Sequence, residues 1–340
     1  MKSKLTYRFK SLIESICTKL ESSILTDKSL KCKVVFGPIQ SRRLGLVLGV
    51  NNVKPGVCSY NCVYCPSGKT SCCSICTQSC VSPYKLYVSV KNKLGELKNY
   101  DEKIDYILFA GSGDPCIDSN LSREIFMLRE LGYKIAVYTN TSLLWNYNVQ
   151  ENLMFADYVS LKIDTVNEDT WLKINRPHRR LRYDLILQGI EQFSKRFKGT
   201  LTTETTLVKN INDNEEEIKK LGDYFTSLNP KNSYFMNPIY PPANNYAISI
   251  DAESLSYVSK IINENVANSV LLNGANNEEL FITDDFENEL LGLLAIHPIK
   301  EDAINNFVKT NQYAEKLNEL ISNNVIKQIE FNGGRYFSLN

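Results

Sequence analysis

Between positions 44 and 238 the chain repeats one pattern: a short apolar run, a turn, then a longer amphipathic stretch. The short runs fall at 44–50, 104–110, 134–140, 158–164, 201–209 and 233–238, and their length and flanking turn residues predict strands. Between them, 121–131, 185–197 and 215–228 carry apolar residues at helical spacing and predict helices. Strand and helix in alternation imply a parallel sheet with right-handed crossovers. The expected fold is α/β, a partial (β/α)6 barrel in which chemistry gathers at the C-terminal ends of the strands. A doubly wound open sheet would give the same pattern.

After Pro241-Pro242 the pattern turns helical, at 253–263, 287–296, 300–309 and 311–322. Two strands follow at 326–331 and 335–339, joined through Asn332-Gly333-Gly334, a strong hairpin signal because Asn and Gly tolerate positive φ. Helices followed by a hairpin give the order of a winged helix. The expected division is an N-terminal helical extension at 1–35, the barrel at 36–245, a helical connector at 246–283 and a winged-helix-like domain at 284–340. Leu291, Leu294, Ile296, Ile304, Phe307, Leu317, Leu320 and Ile321 would share the tail's core, with Val325, Ile326, Ile329, Tyr336 and Phe337 covering it from the hairpin. The helix at 311–322 sets Lys316 against Glu315 and Glu319, and the hairpin sets Lys327 and Arg335 against Glu330. That balance is too neutral for duplex DNA. The tail is expected to dock on the barrel or position a substrate.

Composition narrows the class. With 340 residues, 43% hydrophobic, 23% charged and a formal net charge of +1, the chain has no global pull toward nucleic acid or a membrane surface. No run approaches the ~18 apolar residues a membrane span needs. The first 23 residues read as an amphipathic helix and not as a signal peptide. Ten cysteines without a secretion signal point to a reducing compartment, the cytoplasm, and to metal binding over a disulfide framework.

The cysteines then carry the chemistry. Cys58, Cys62 and Cys65 follow the first strand directly, separated by three and then two residues. Three thiolates so spaced suit three corners of a [4Fe–4S] cube and leave the fourth iron open to a small molecule. A structural zinc site would need a fourth ligand. Gly111-Ser112-Gly113-Asp114-Pro115 ends the second strand, where two glycines let backbone approach a ligand closely. In the fourth strand Ser160, Lys162 and Asp164 share one face by the two-residue period, toward the lumen, and Leu161 and Ile163 share the other. Their partner is either a ligand or, for Lys162 and Asp164, each other. Asn140, Glu204 and Asn237 lie on other strands. Arg42-Arg43 and the run Arg176, His178, Arg179, Arg180 and Arg182 are solvated faces or, near the strand ends, contacts for an anionic substrate or a nucleic-acid phosphate.

With these residues in view, the chain resembles the radical S-adenosylmethionine (radical SAM) superfamily and, within it, the wyosine-type branch. The similarity runs from Phe36 to Pro242 through 36–45, the cysteine triplet, 111–115, 139–144, 160–164 and 173–177. It implies a [4Fe–4S] cluster on Cys58, Cys62 and Cys65, whose open iron chelates the amino and carboxylate groups of SAM. One electron, from a donor such as ferredoxin or flavodoxin, would then release a 5′-deoxyadenosyl radical. It further implies SAM contacts from Gly111, Ser112, Gly113, Asp114, Asn140, Ser160 and Lys162. An RNA nucleoside and a peptide or protein are the substrate classes. Asp114 stands where relatives usually carry Glu. The second cluster of tricyclic-wyosine synthase rests on cysteines before the loop, and here only Cys17 and Cys32 precede it.

Four further thiols follow, Cys72, Cys73, Cys76 and Cys80. A second cluster or metal on Cys73, Cys76 and Cys80, a redox pair and a metal-free loop are the readings. The alternative to radical chemistry as a whole is an iron–sulfur or zinc protein serving electron transfer or regulation.

Overall fold

The structure, a computed structural model, describes residues 34–98, 103–272, 280–282 and 285–340. The expected N-terminal helix, with Cys17 and Cys32, lies outside these residues. One eight-stranded sheet organises the rest. Its strands are β1 (Val35–Ser41), β2 (Gly45–Val50), β5 (Tyr106–Phe109), β6 (Lys134–Thr139), β7 (Tyr158–Lys162), β8 (Thr200–Thr206), β9 (Asn232–Met236) and β10 (Ser269–Leu272), in that spatial order. The six expected strands are β2 and β5 to β9, all parallel.

The sheet has one more strand at each edge than the apolar pattern predicts. β1 runs antiparallel to β2, with a register shift between Phe36 and Ile39 where Gly37-Pro38 interrupts the apolar run. β10 adds parallel to β9. A short two-stranded ribbon, β3 (Val57–Cys58) with β4 (Cys72–Cys73), carries the cysteine loop above the end of β2.

Helices cover the outer face: α1 (Pro83–Leu97), α2 (Leu121–Arg129), α3 (Tyr147–Leu153), α4 (Glu168–Asn175), α5 (Tyr183–Arg196), α6 (Glu215–Leu228) and α7 (Ala252–Asn265). Leu161 and Ile163 join this helix-side core, as the two-residue period requires. The inner face has its own apolar cluster of Leu44, Val47, Leu108, Ala136 and Tyr158, so the lower lumen is packed core and not a channel. Asn167, Asn214 and Asp251 cap α4, α6 and α7 by accepting first-turn amides, which fixes where each helix begins.

The tail runs α8 (Phe286–Leu294), β11 (Ile299–Lys300), α9 (Glu301–Asn311), α10 (Ala314–Ser322), β12 (Ile326–Phe331) and β13 (Gly334–Leu339), with sheet order β11-β13-β12. Asn332 and Gly333 turn the hairpin at φ of 47° and 75°. Leu294, Ile304, Leu317, Leu320, Ile326 and Phe337 are buried together, whereas Ile321 and Val325 are exposed. Phe36 of β1 belongs to this second core, so the extra edge strand is what the tail docks on. A buried pair, Lys93 Nζ to Glu289 Oε1 at 2.7 Å, ties α1 to α8.

Candidate active site

The cysteine loop leaves β2 at the C-terminal face and is held down from two sides. Its backbone bonds to the end of α4: Asn61 N donates to Asn175 O at 3.0 Å, Val63 N to Ile174 O at 2.9 Å, and His178 N to Ser59 O at 2.9 Å. Its side chains bond downward into the barrel. Tyr64 hydroxyl donates to Asp164 Oδ2. Asn175 Nδ2 reaches the same oxygen at 2.7 Å and Cys62 Sγ at 3.5 Å. Asn140 Nδ2 donates to Ser59 Oγ at 2.9 Å and approaches Cys58 Sγ at 3.4 Å. Asp164, Asn175 and Asn140 therefore fix the loop that carries the thiols.

Cys58, Cys62 and Cys65 line one cavity of about 330 Å³, together with Gly111 to Gly113, Asn140, Lys162 and Glu204. Burial pushes all three thiols upward in pKa, Cys62 to about 12. Beneath them Glu204 is shared by two cations: Lys162 Nζ to Oε1 at 2.9 Å and Arg43 to Oε2 at 2.5 Å. Burial acts to raise the Glu204 carboxyl, but Lys162 and Arg43 outweigh it and hold the group down at about 2. Lys162 also donates to Thr206 Oγ1 at 2.6 Å. The Arg43 guanidinium lies between Tyr138 and Tyr234, 4.4 and 4.9 Å from the ring centres.

A family model described as the radical SAM superfamily matches residues 53–222, from the start of the cysteine loop to α6. The chain belongs to the radical SAM superfamily. It is 36% identical over 310 residues to the UPF0026 protein MJ1312 of Methanocaldococcus jannaschii, a match covering 90% of this chain and 96% of that one. Among solved structures, a radical SAM methyltransferase from Sphaerobacter thermophilus aligns with a TM-score of 0.52 at 12% identity over 66% of each chain. TYW1 with a lysine–pyruvate adduct bound aligns at 0.47 and 16% identity, over 73% of this chain and 82% of that one. At such identities structural likeness speaks to the fold alone.

A radical SAM enzyme uses a [4Fe–4S] cluster and SAM, and the cysteine loop fits that cluster. Three thiols of one loop open on one cavity, and two of them accept amide N–H donors. A cationic centre favours the thiolate form of these half-buried thiols, and cluster iron would supply that charge.

The other site residues divide. Gly111, Ser112, Gly113, Asn140 and Lys162 line the cavity. The two glycines also have a packing reason, since a Cβ on Gly111 would stand 2.2 Å from Asn51 Oδ1 and one on Gly113 2.1 Å from Val57 O. Asp114 departs from expectation. Its buried carboxylate accepts Cys116 N at 2.8 Å, Thr139 Oγ1 at 2.9 Å and Asn140 N at 2.6 Å, and it is outside the cavity lining. Ser160 departs as well, because it sits lower in the lumen and accepts Arg43 at 3.3 Å. Lys162 and Asp164 do face each other, at 3.6 Å, but Glu204 is the nearer partner of Lys162.

The second thiol group does not assemble. Cys73 Sγ is directed at Ser59 O at 3.5 Å, and Cys80 Sγ at Gln78 O at 3.6 Å. Sequence reasoning passed over Tyr64, whose bond to Asp164 has no local signal, and left Arg42 undivided from Arg43.

Proposed function

We propose that Cys58, Cys62 and Cys65 hold a [4Fe–4S] cluster with one open iron position, and that the chain cleaves SAM reductively to act on a substrate through a 5′-deoxyadenosyl radical. The cluster and SAM supply the one-electron chemistry; the protein orients the reactants and excludes water. The observation that carries the reading is the opening of all three thiols of the loop onto one cavity at the C-terminal face of the sheet. In this reading Gly111, Ser112, Gly113, Asn140 and Lys162 contact SAM, while Asp114 acts one step back by fixing the Asn140 backbone.

The tail closes the site from the side. Ile296 lines the cavity, Ser67 Oγ donates to Ile296 O at 2.6 Å, and the His297 and Tyr240 rings stack at 4.3 Å. We assign the tail, as a winged-helix-like domain, to substrate positioning and not to duplex DNA. An RNA nucleoside and a peptide or protein are the substrate classes of this reading, a ferredoxin or flavodoxin its electron donor, and the cytoplasm its setting. Among the described residues no helix is long and apolar enough to cross a membrane.

The test is chemical. Anaerobically reconstituted protein given SAM and dithionite should release 5′-deoxyadenosine. An iron-loaded protein that binds SAM but forms none is an electron-transfer or regulatory module instead.

A further inference from the structure

Two adjacent arginines meet opposite fates in this fold. Arg43 turns into the lumen and is satisfied there by Glu204, Ser160 and two aromatic faces. Arg42 turns toward the cavity and lines it. Its guanidinium makes one hydrogen bond to a described residue, from Nη1 to Leu272 O at the end of β10, at 3.3 Å. A guanidinium carries five N–H donors in a planar fork, so most of this fork has no hydrogen-bond acceptor among the described residues.

Among the described residues the cavity offers it no uncommitted carboxylate. Four charged side chains line the space, Arg42, Lys69, Lys162 and Glu204. The single acid, Glu204, already has one oxygen on Lys162 and the other on Arg43. Arg42 is also partly desolvated, and burial lowers its pKa. Leaving a cation there without an anion costs stability, while an entering carboxylate or phosphate meets a fork shaped for it. The neighbouring walls are apolar, from Met236, Pro238, Ile239 and Ile296.

We propose that Arg42 is the recognition group for a carboxylate or phosphate on the substrate, whose apolar body lies against the β9 end and Ile296. This rests on the radical SAM reading of the cavity and names the substrate chemistry it admits. Arg42 binds and positions; it takes no part in bond making.

The test uses anaerobically reconstituted, SAM-loaded protein and three probes of one shape: benzoate, phenyl phosphate and neutral benzamide. Binding is read by saturation-transfer NMR, and SAM affinity by equilibrium dialysis. Either anion should bind wild type and bind Arg42→Gln at least about tenfold more weakly, the loss expected for a charge-assisted hydrogen bond. Arg42→Lys should fall between, and benzamide should be indifferent to the substitution. Preference for benzoate assigns a carboxylate, and preference for phenyl phosphate assigns a phosphate. Equal anion binding by wild type and Arg42→Gln overturns the proposal. So does a tenfold loss of SAM affinity in Arg42→Gln without loss of anion binding, because the carboxylate served would then be that of SAM. Absence of 5′-deoxyadenosine from wild type given SAM and dithionite would count against the radical SAM reading and not against the anion site.

Discussion

The floor of the cavity and its mouth handle charge in opposite ways. At the floor Arg43, Lys162 and Glu204 close on one another, backed by Tyr138, Tyr234 and Thr206. At the mouth three thiols and Arg42 face the open space with few protein partners. Burying charge is tolerable where the partner is built in, and elsewhere the deficit marks where a ligand belongs. The floor is therefore largely self-satisfied although it is strongly polar, with Lys162 alone given a SAM contact in our reading, and the mouth is where a ligand supplies the missing partners.

The comparison breaks first at Glu204. Replacing it by Ala strands Arg43 and Lys162 together in the lumen, and should cost about 3–5 kcal/mol, as when one partner of a buried pair is removed. Urea unfolding of the iron-free protein measures this. A loss under about 1 kcal/mol, the range of exposed pairs, would mean the floor is wetter than the structure shows.

Asp114 comes next. Its carboxylate accepts from Cys116 N, Thr139 Oγ1 and Asn140 N, so Asp114→Ala leaves buried donors unmet and should cost about 1–3 kcal/mol. SAM affinity should fall less than it would on losing a direct contact. A full loss of SAM binding at unchanged stability would restore Asp114 to the ligand.

The smallest effect is the pH dependence of the floor. Glu204 is held at about 2, below its ordinary value of 4.5. Its contribution to stability is complete above the ordinary value and is lost as pH falls from there toward the folded value. Wild type should thus lose more stability than Glu204→Gln between pH ~5 and pH ~3. Parallel curves would show that another carboxylate governs acid unfolding.

How much of this was legible in the sequence follows the same division. Periodicity located the six parallel strands and the inward face of β7, because a strand buried on both sides needs apolar residues outward and its own partners inward. It gave the face of Ser160 but not its height, which puts that residue with Arg43 below the cavity. β1 stayed hidden because Gly37-Pro38 interrupts it, and β10 because only four residues pair. The thiol triplet was readable since its chemistry is local. What holds it was not: the Tyr64–Asp164 bond joins positions a hundred residues apart, and Asp114 reads as a ligand group until Asn140 N is seen against it.

The most direct measurement is the EPR spectrum of dithionite-reduced, anaerobically reconstituted protein before and after addition of SAM. Wild type should show a cluster signal that SAM shifts, and Cys73→Ala should keep it. Cys58→Ala, Cys62→Ala and Cys65→Ala should each lose it, because a cube held at two corners is labile. A signal indifferent to SAM, or one that survives in all three variants, would contradict the assignment of the cluster to this loop.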